Sequence, residues 1–142
     1  MFNNIPPITR NIIILNIVVF IAALVMPQLN DYLAAYFPLL PQFRSWQIVT
    51  HMFMHGSPMH IFFNMFALIS FGSALEHFWG AKKFLFFYLS CGLGAAIIHS
   101  GVNYYYFHDA QNFLIRSGVS VQEIQTLIKG DSVNINASDT VL

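Results

Sequence analysis

Three long stretches of the chain carry no Asp, Glu, Lys or Arg: residues 11–30, 45–75 and 84–108. Within them the apolar side chains crowd into runs at 12–26, 59–75 and 84–107. A helix of a soluble core shows a polar stripe recurring about every 3.6 residues, and these runs show none. A bilayer core about 30 Å thick takes roughly 20 helical residues at a rise of about 1.5 Å each, so all three charge-free stretches are long enough to cross it. The pattern predicts an all-α membrane protein with three transmembrane helices, at about 11–29, 57–77 and 83–107.

Local signals support these helices. Pro27 closes the first, Ser57 can cap the second, and Pro58 fits the second's opening position. Lys82 and Lys83 precede the third, and Tyr104, Tyr105 and Tyr106 sit at its far end. Interfacial tyrosines belong there, as do Trp46 and Trp79 near other boundaries. No small-x-small cleavage site precedes Pro27 and two spans follow, so the first helix is retained as a span and not removed as a secretory signal. Arg10, Lys82 and Lys83 on one side, against Arg44 alone on the other, favour a cytoplasmic N-terminus. The loop at 29–55 and the tail after Asp109 then face outward.

Composition agrees with this picture. Of the 142 residues 56% are apolar and only 8% charged, with a net charge of zero. Whole-chain disorder is excluded by the apolar content, and nucleic-acid binding by the lack of a basic footprint. One cysteine, Cys91, excludes an internal disulfide framework and a Cys-rich zinc site. Cys91 lies among small residues; Ser90 with Gly94 and Gly92 with Ala96 would let helices pack closely in lipid. Six of the twelve charges fall in residues 109–142. That tail opens a short helix with a Ser120-Val121-Gln122-Glu123 capping box, places Val121, Ile124, Leu127 and Ile128 on one stripe, and ends the helix at Gly130. Asn136-Ala137-Ser138 matches a glycosylation acceptor, a three-residue pattern of little weight.

Polar side chains inside a span are costly and are candidates for function. The second helix and its approach hold His51, His55, His60, Asn64 and Glu76. His60 and Asn64 are one turn apart, on one helix face, with Asn64 about 6 Å deeper. An imidazole and a carboxamide so placed can donate to one buried oxygen, as stabilising an acyl-transfer oxyanion requires. They can equally bond to neighbouring helices as structural glue. His51 and His55, also four apart, could share a cation with His60, but no carboxylate or thiolate is near in sequence and His-Glu-x-x-His is absent. His77, His99 and His108 read as interfacial or packing residues.

The run Trp46-Gln-Ile-Val-Thr-His51-Met-Phe-Met-His55-Gly-Ser-Pro-Met-His60-Ile-Phe-Phe-Asn64, with Gly72-x-x-x-Glu76-x-x-x-Gly80 after it, resembles the first outer loop and second helix of rhomboid intramembrane serine proteases. The resemblance covers roughly residues 10–101. It implies that the chain is the N-terminal half of a six-helix rhomboid bundle in a multi-pass protein of a bacterial inner membrane. It also implies that His60 and Asn64 help form the oxyanion site, that Glu76 is structural near the cytoplasmic end, and that residues 31–44 belong to an outer loop packing at the membrane surface. Residues 1–108 would form the membrane part and 109–142 a polar outer segment leading to a fourth helix.

Three departures accompany it. Gln47 stands where the family often has arginine. The segment before the expected fourth helix is long. The nucleophile of Gly-x-Ser-Gly is missing: none of the ten serines lies in that motif, and no later helix supplies the histidine base. Without that pair an oxyanion site gives little catalysis. The expectation is therefore an N-terminal fragment, inactive alone, of a serine endopeptidase that cuts transmembrane protein substrates within the lipid bilayer without metal or organic cofactor. The alternative is a non-catalytic rhomboid-like protein that binds transmembrane helices.

Overall fold

The computed structural model describes residues 5–130, and every regular element among them is helical. The elements are α1 (Pro7–Val25), α2 (Gln28–Leu33), α3 (Gln47–Thr50) running into a 3-10 turn (His51–Phe53), α4 (Pro58–Ala67), a π-turn (Leu68–Gly72), α5 (Ser73–Trp79), α6 (Ala81–Arg116) and α7 (Val121–Lys129). Three continuous helical segments, Pro7–Val25, Pro58–Trp79 and Ala81–Arg116, are long and apolar enough to cross a membrane. The protein is an all-α membrane protein.

Two of the spans depart from the sequence expectation by several residues. The first span begins at Pro7 and stops at Val25, because Pro6-Pro7 sets helical entry and Pro27 removes a donor and begins the separate helix α2. The third runs on past residue 107 to Arg116, about 54 Å at the usual rise. Nothing between Tyr106 and Arg116 breaks a helix. The stop comes at Gly118, where φ is 88° and Val119 N–H returns to the Leu114 carbonyl at 3.0 Å. The Asn136-Ala137-Ser138 pattern and the end of the tail lie outside the described residues.

The described residues divide into two compact units, one of those up to 35 with 45–95 and the other of 36–44 with those from 96 onward. In the first, α1 packs along the second span and against the 3-10 turn. Its core is small: Ile12, Ile13 and Ala23 of α1 with Ile61 and Phe84. Gly80 alone joins α5 to α6, with φ 80° and ψ 161°, a conformation open almost only to glycine. A Cβ on Gly72 would stand 3.2 Å from the buried Phe84 ring and 2.8 Å from Leu68, so glycine lets the π-turn approach α6.

In the second unit, Phe37 packs on Phe107 with ring centroids 5.5 Å apart, and Arg44 turns back to the Pro41 and Phe43 carbonyls, each at 2.8 Å. The capping box of α7 is formed: Ser120 Oγ accepts from Glu123 N–H at 3.2 Å and Glu123 accepts from Ser120 N–H at 2.8 Å. Hydrogen bonding of the exposed Glu123 carboxylate, first with the Ser120 side chain and then with the Ser120 N–H, holds it below its usual range. Ile124 is buried, while Val121 and Leu127 of the same stripe stay exposed.

Candidate functional site at the second span

Ser57 adopts the extended backbone of an N-cap and its hydroxyl accepts from His60 N–H at 3.2 Å, so α4 starts where Ser57-Pro58 predicts. His60 and Asn64 stand one turn apart on that helix, and both are exposed. Among the described residues neither side chain has a hydrogen-bond partner. Asn64 lines a cleft of about 560 Å³ with His55, Met52 and Asn16, walled on the far side by Tyr88 and Gly92 of α6. His60 meets His55 ring against ring, with centroids 5.0 Å apart and planes tilted by 59°.

The approach to α4 is anchored residue by residue. Trp46 Nε1 donates to the Tyr32 carbonyl at 3.0 Å and Thr50 Oγ1 to the Leu33 carbonyl at 2.7 Å. Between them the buried Gln47 amide reaches the Asp31 and Tyr32 carbonyls, both at 3.4 Å. The glutamine is thus a full member of this clamp. His51 Nδ1 bonds the Gln47 carbonyl at 2.8 Å and His55 Nδ1 the Phe53 carbonyl at 3.2 Å. Met52 fits against Gly92, where an added Cβ would collide with the methionine's terminal methyl. Burial, only partly offset by the Phe53 carbonyl, and the neighbouring His60 together hold the His55 imidazole below its usual pKa of 6.5, so it is neutral at neutral pH. His51 and His55 are each committed to a backbone carbonyl, and among the described residues no three His, Cys, Asp or Glu converge as a metal site.

Glu76 lies at the other end of the span. It is 4% exposed, and its carboxylate accepts from Ile8 N–H at 2.9 Å, Thr9 N–H at 2.7 Å and Thr9 Oγ1 at 2.8 Å. Pro6 and Pro7 have no N–H, and Arg10 N–H already bonds the Pro6 carbonyl at 2.9 Å. Glu76 therefore satisfies every remaining free donor of the first turn of α1 and places negative charge at its positive end. Twelve residues turn an unbroken α-helix about 120° out of alignment, and the extra residue of a π-turn takes up about 100° of this. The turn at 68–72 thus lets one span aim Asn64 at the cleft and Glu76 at α1.

Sequence reasoning passed over three contributors. Asn16, the one polar residue in the run 12–26, is buried, donates to the Ile12 carbonyl at 2.8 Å, and meets Tyr88 in the cleft; its isolation in an apolar run was the available signal. Thr9 was foreshadowed by a helix opening on Pro-Pro with no capping side chain of its own. The Met52–Gly92 contact had no local signal.

Comparison with known proteins identifies the family. A profile of the Rhomboid domain matches residues 42–121. Rhomboid-like protein 15 of Arabidopsis thaliana is 27% identical over 116 residues, covering 76% of this chain and 29% of its own length. Rhomboid-like protease 3 of Toxoplasma gondii is 36% identical over 55 residues, 39% of this chain and 21% of the relative. Rhomboid protease GluP of Bacillus subtilis is 36% identical over 59 residues, 42% of this chain and 12% of the relative. The chain thus spans under a third of the length of each of these curated relatives. With the profile covering the clamp side chains Trp46, Gln47 and Thr50, His60, Asn64 and the Gly72–Glu76–Gly80 corner, the chain belongs to the rhomboid family.

Proposed function

We propose that this chain forms one wall of the active site of an intramembrane serine endopeptidase, with His60 and Asn64 as the oxyanion donors. The observation that carries this reading is that both side chains project from one face of α4, one turn apart, without a partner among the described residues. Two N–H donors so placed can both reach one transient oxyanion on that face of the span. Two of the relatives above are named as proteases.

The reaction is hydrolysis of a peptide bond in a transmembrane substrate. A serine attacks the carbonyl carbon, a histidine takes its proton and returns it to the leaving amine, and water then releases the acyl group. None of the serines among these 142 residues lies in the family's Gly-x-Ser-Gly motif, so on this reading turnover needs these residues joined to helices carrying that serine and the histidine. What these residues do is hold two N–H groups where the carbonyl oxygen gains charge. Residues 1–108 then make the membrane part and 109–142 the outer segment. The N-terminus lies in the cytoplasm of a bacterial inner membrane, an orientation supported by Arg10, Lys82 and Lys83.

The test uses the whole gene product, reconstituted in lipid vesicles with a fluorogenic transmembrane peptide. Cleavage is expected, and His60→Ala or Asn64→Ala should slow it by about ten- to a thousandfold. A coding sequence with no serine in Gly-x-Ser-Gly would overturn the reading in favour of a non-catalytic binder of transmembrane helices. So would unchanged cleavage in both variants.

A further inference from the structure

His55 is given no role by the family resemblance or by the oxyanion reading, yet it is the most enclosed imidazole beside the cleft. It is 7% exposed, tethered through Nδ1 to the Phe53 carbonyl at 3.2 Å, and packed on the His60 ring at 5.0 Å. It also borders a second hollow of about 330 Å³ with Phe20, Ala23 and Leu24 of α1, Asn30 of α2 and Ser57. We infer that His55 is a positioning residue for His60: a neutral ring, fixed from behind by the backbone, against which the oxyanion imidazole is held in place.

The chemistry follows from the tether. With Nδ1 donating to a carbonyl, the neutral tautomer carries its proton there, and the ring face and Nε2 remain for neighbours. Protonating His55 would put a cation in a nearly enclosed site beside His60. Neither hollow is lined by a carboxylate, lysine or arginine that could offset it. The titratable groups facing His55 are His60 beside it, and Tyr88 and Cys91 across the cleft from α6. That cation would need solvation that this site does not provide, so acid should disturb the ring contact that holds His60 in place. A neutral aromatic ring of similar size should do the same work without the acid sensitivity.

The inference rests on the oxyanion reading of His60, and two measurements separate their failures. The first needs no activity: side-chain proton NMR of all six histidines in this chain, in detergent micelles, from pH 4.5 to 8.5. The His55 resonance should titrate below the ordinary imidazole range and be mirrored in the His60 ring, and His55→Phe should abolish that response in His60. A His60 signal that behaves identically in both proteins would overturn the coupling. The second is the pH profile of cleavage by the whole gene product. His55→Ala should lower kcat about tenfold with KM little changed. His55→Phe should stay within about threefold of the parent at pH 7.5 and keep its rate to lower pH. His60→Ala without effect would sink the oxyanion reading. A damaging His60→Ala together with a His55→Phe profile that falls in acid like the parent's would sink only the role of His55. Retention of the thermal unfolding midpoint in both His55 variants separates positioning from misfolding.

Discussion

The carboxylate of Glu76 caps the helix that begins beside Thr9, taking both the backbone N–H and the hydroxyl of that threonine across 67 residues of sequence. Both groups are buried, Thr9 completely. In a bilayer no water replaces such bonds, so the first span depends on the second for its own helical start.

Replacing Glu76 with Ala should therefore destabilise the protein well beyond a surface change. Leaving the Ile8 and Thr9 amides unpaired costs about 2–5 kcal/mol. Thr9→Val, which removes only the hydroxyl, should cost about 1 kcal/mol. Unfolding in mixed detergent micelles by added SDS measures both. Equal losses from the two changes would deny that the backbone amides are the main clients of Glu76.

Gly80 turns the chain between the second and third spans in a conformation that side chains disfavour. Gly80→Ala should cost about 1–3 kcal/mol in the same titration. Gly94, with open space around it and ordinary helical geometry, is the internal control; Gly94→Ala should be neutral or mildly stabilising.

Gly92→Ala should drive the methyl of Met52 out of its seat and loosen the turn that carries His55. Overpacking of this kind costs about 1–3 kcal/mol, and a flexible methionine puts the expectation at the low end. Met52→Ala should cost on its own through lost packing. The double change should be less harmful than the sum of the two, since the alanines no longer collide. Strict additivity would show that the two residues do not meet.

Stability should depend on pH through His55 in a defined window. Its folded pKa lies below the unfolded value of 6.5, so the unfolded chain binds the proton more readily. The contribution is intact above pH 6.5 and is lost as pH falls through that value toward the lower folded one. His55→Phe should flatten the profile there. Glu123, also held low, acts only below its usual 4.5 and leaves this window clear. A profile between pH 5 and 7 that His55→Phe leaves unaltered would contradict the assignment.

The sequence alone determined the three spans, the Ser57-Pro58 entry, the Ser120–Glu123 box and the placement of His60 and Asn64 on one face. Each of these is decided locally. Lipid penalises every charge in a span where it stands, a cap reaches only three residues, and a one-turn spacing fixes a shared face. The corner Gly72-x-x-x-Glu76-x-x-x-Gly80 was legible as a spacing but not as three separate tasks. Only the tertiary structure showed close approach at Gly72, a cap for a distant helix at Glu76 and positive-φ extended backbone at Gly80. It also decided the π-turn that re-aims the second span, the Met52–Gly92 seat and the contact of His55 with His60. These depend on which surfaces meet after the helices form, and burial, register and partner identity at such meetings are properties of the assembled packing, not of any segment read by itself.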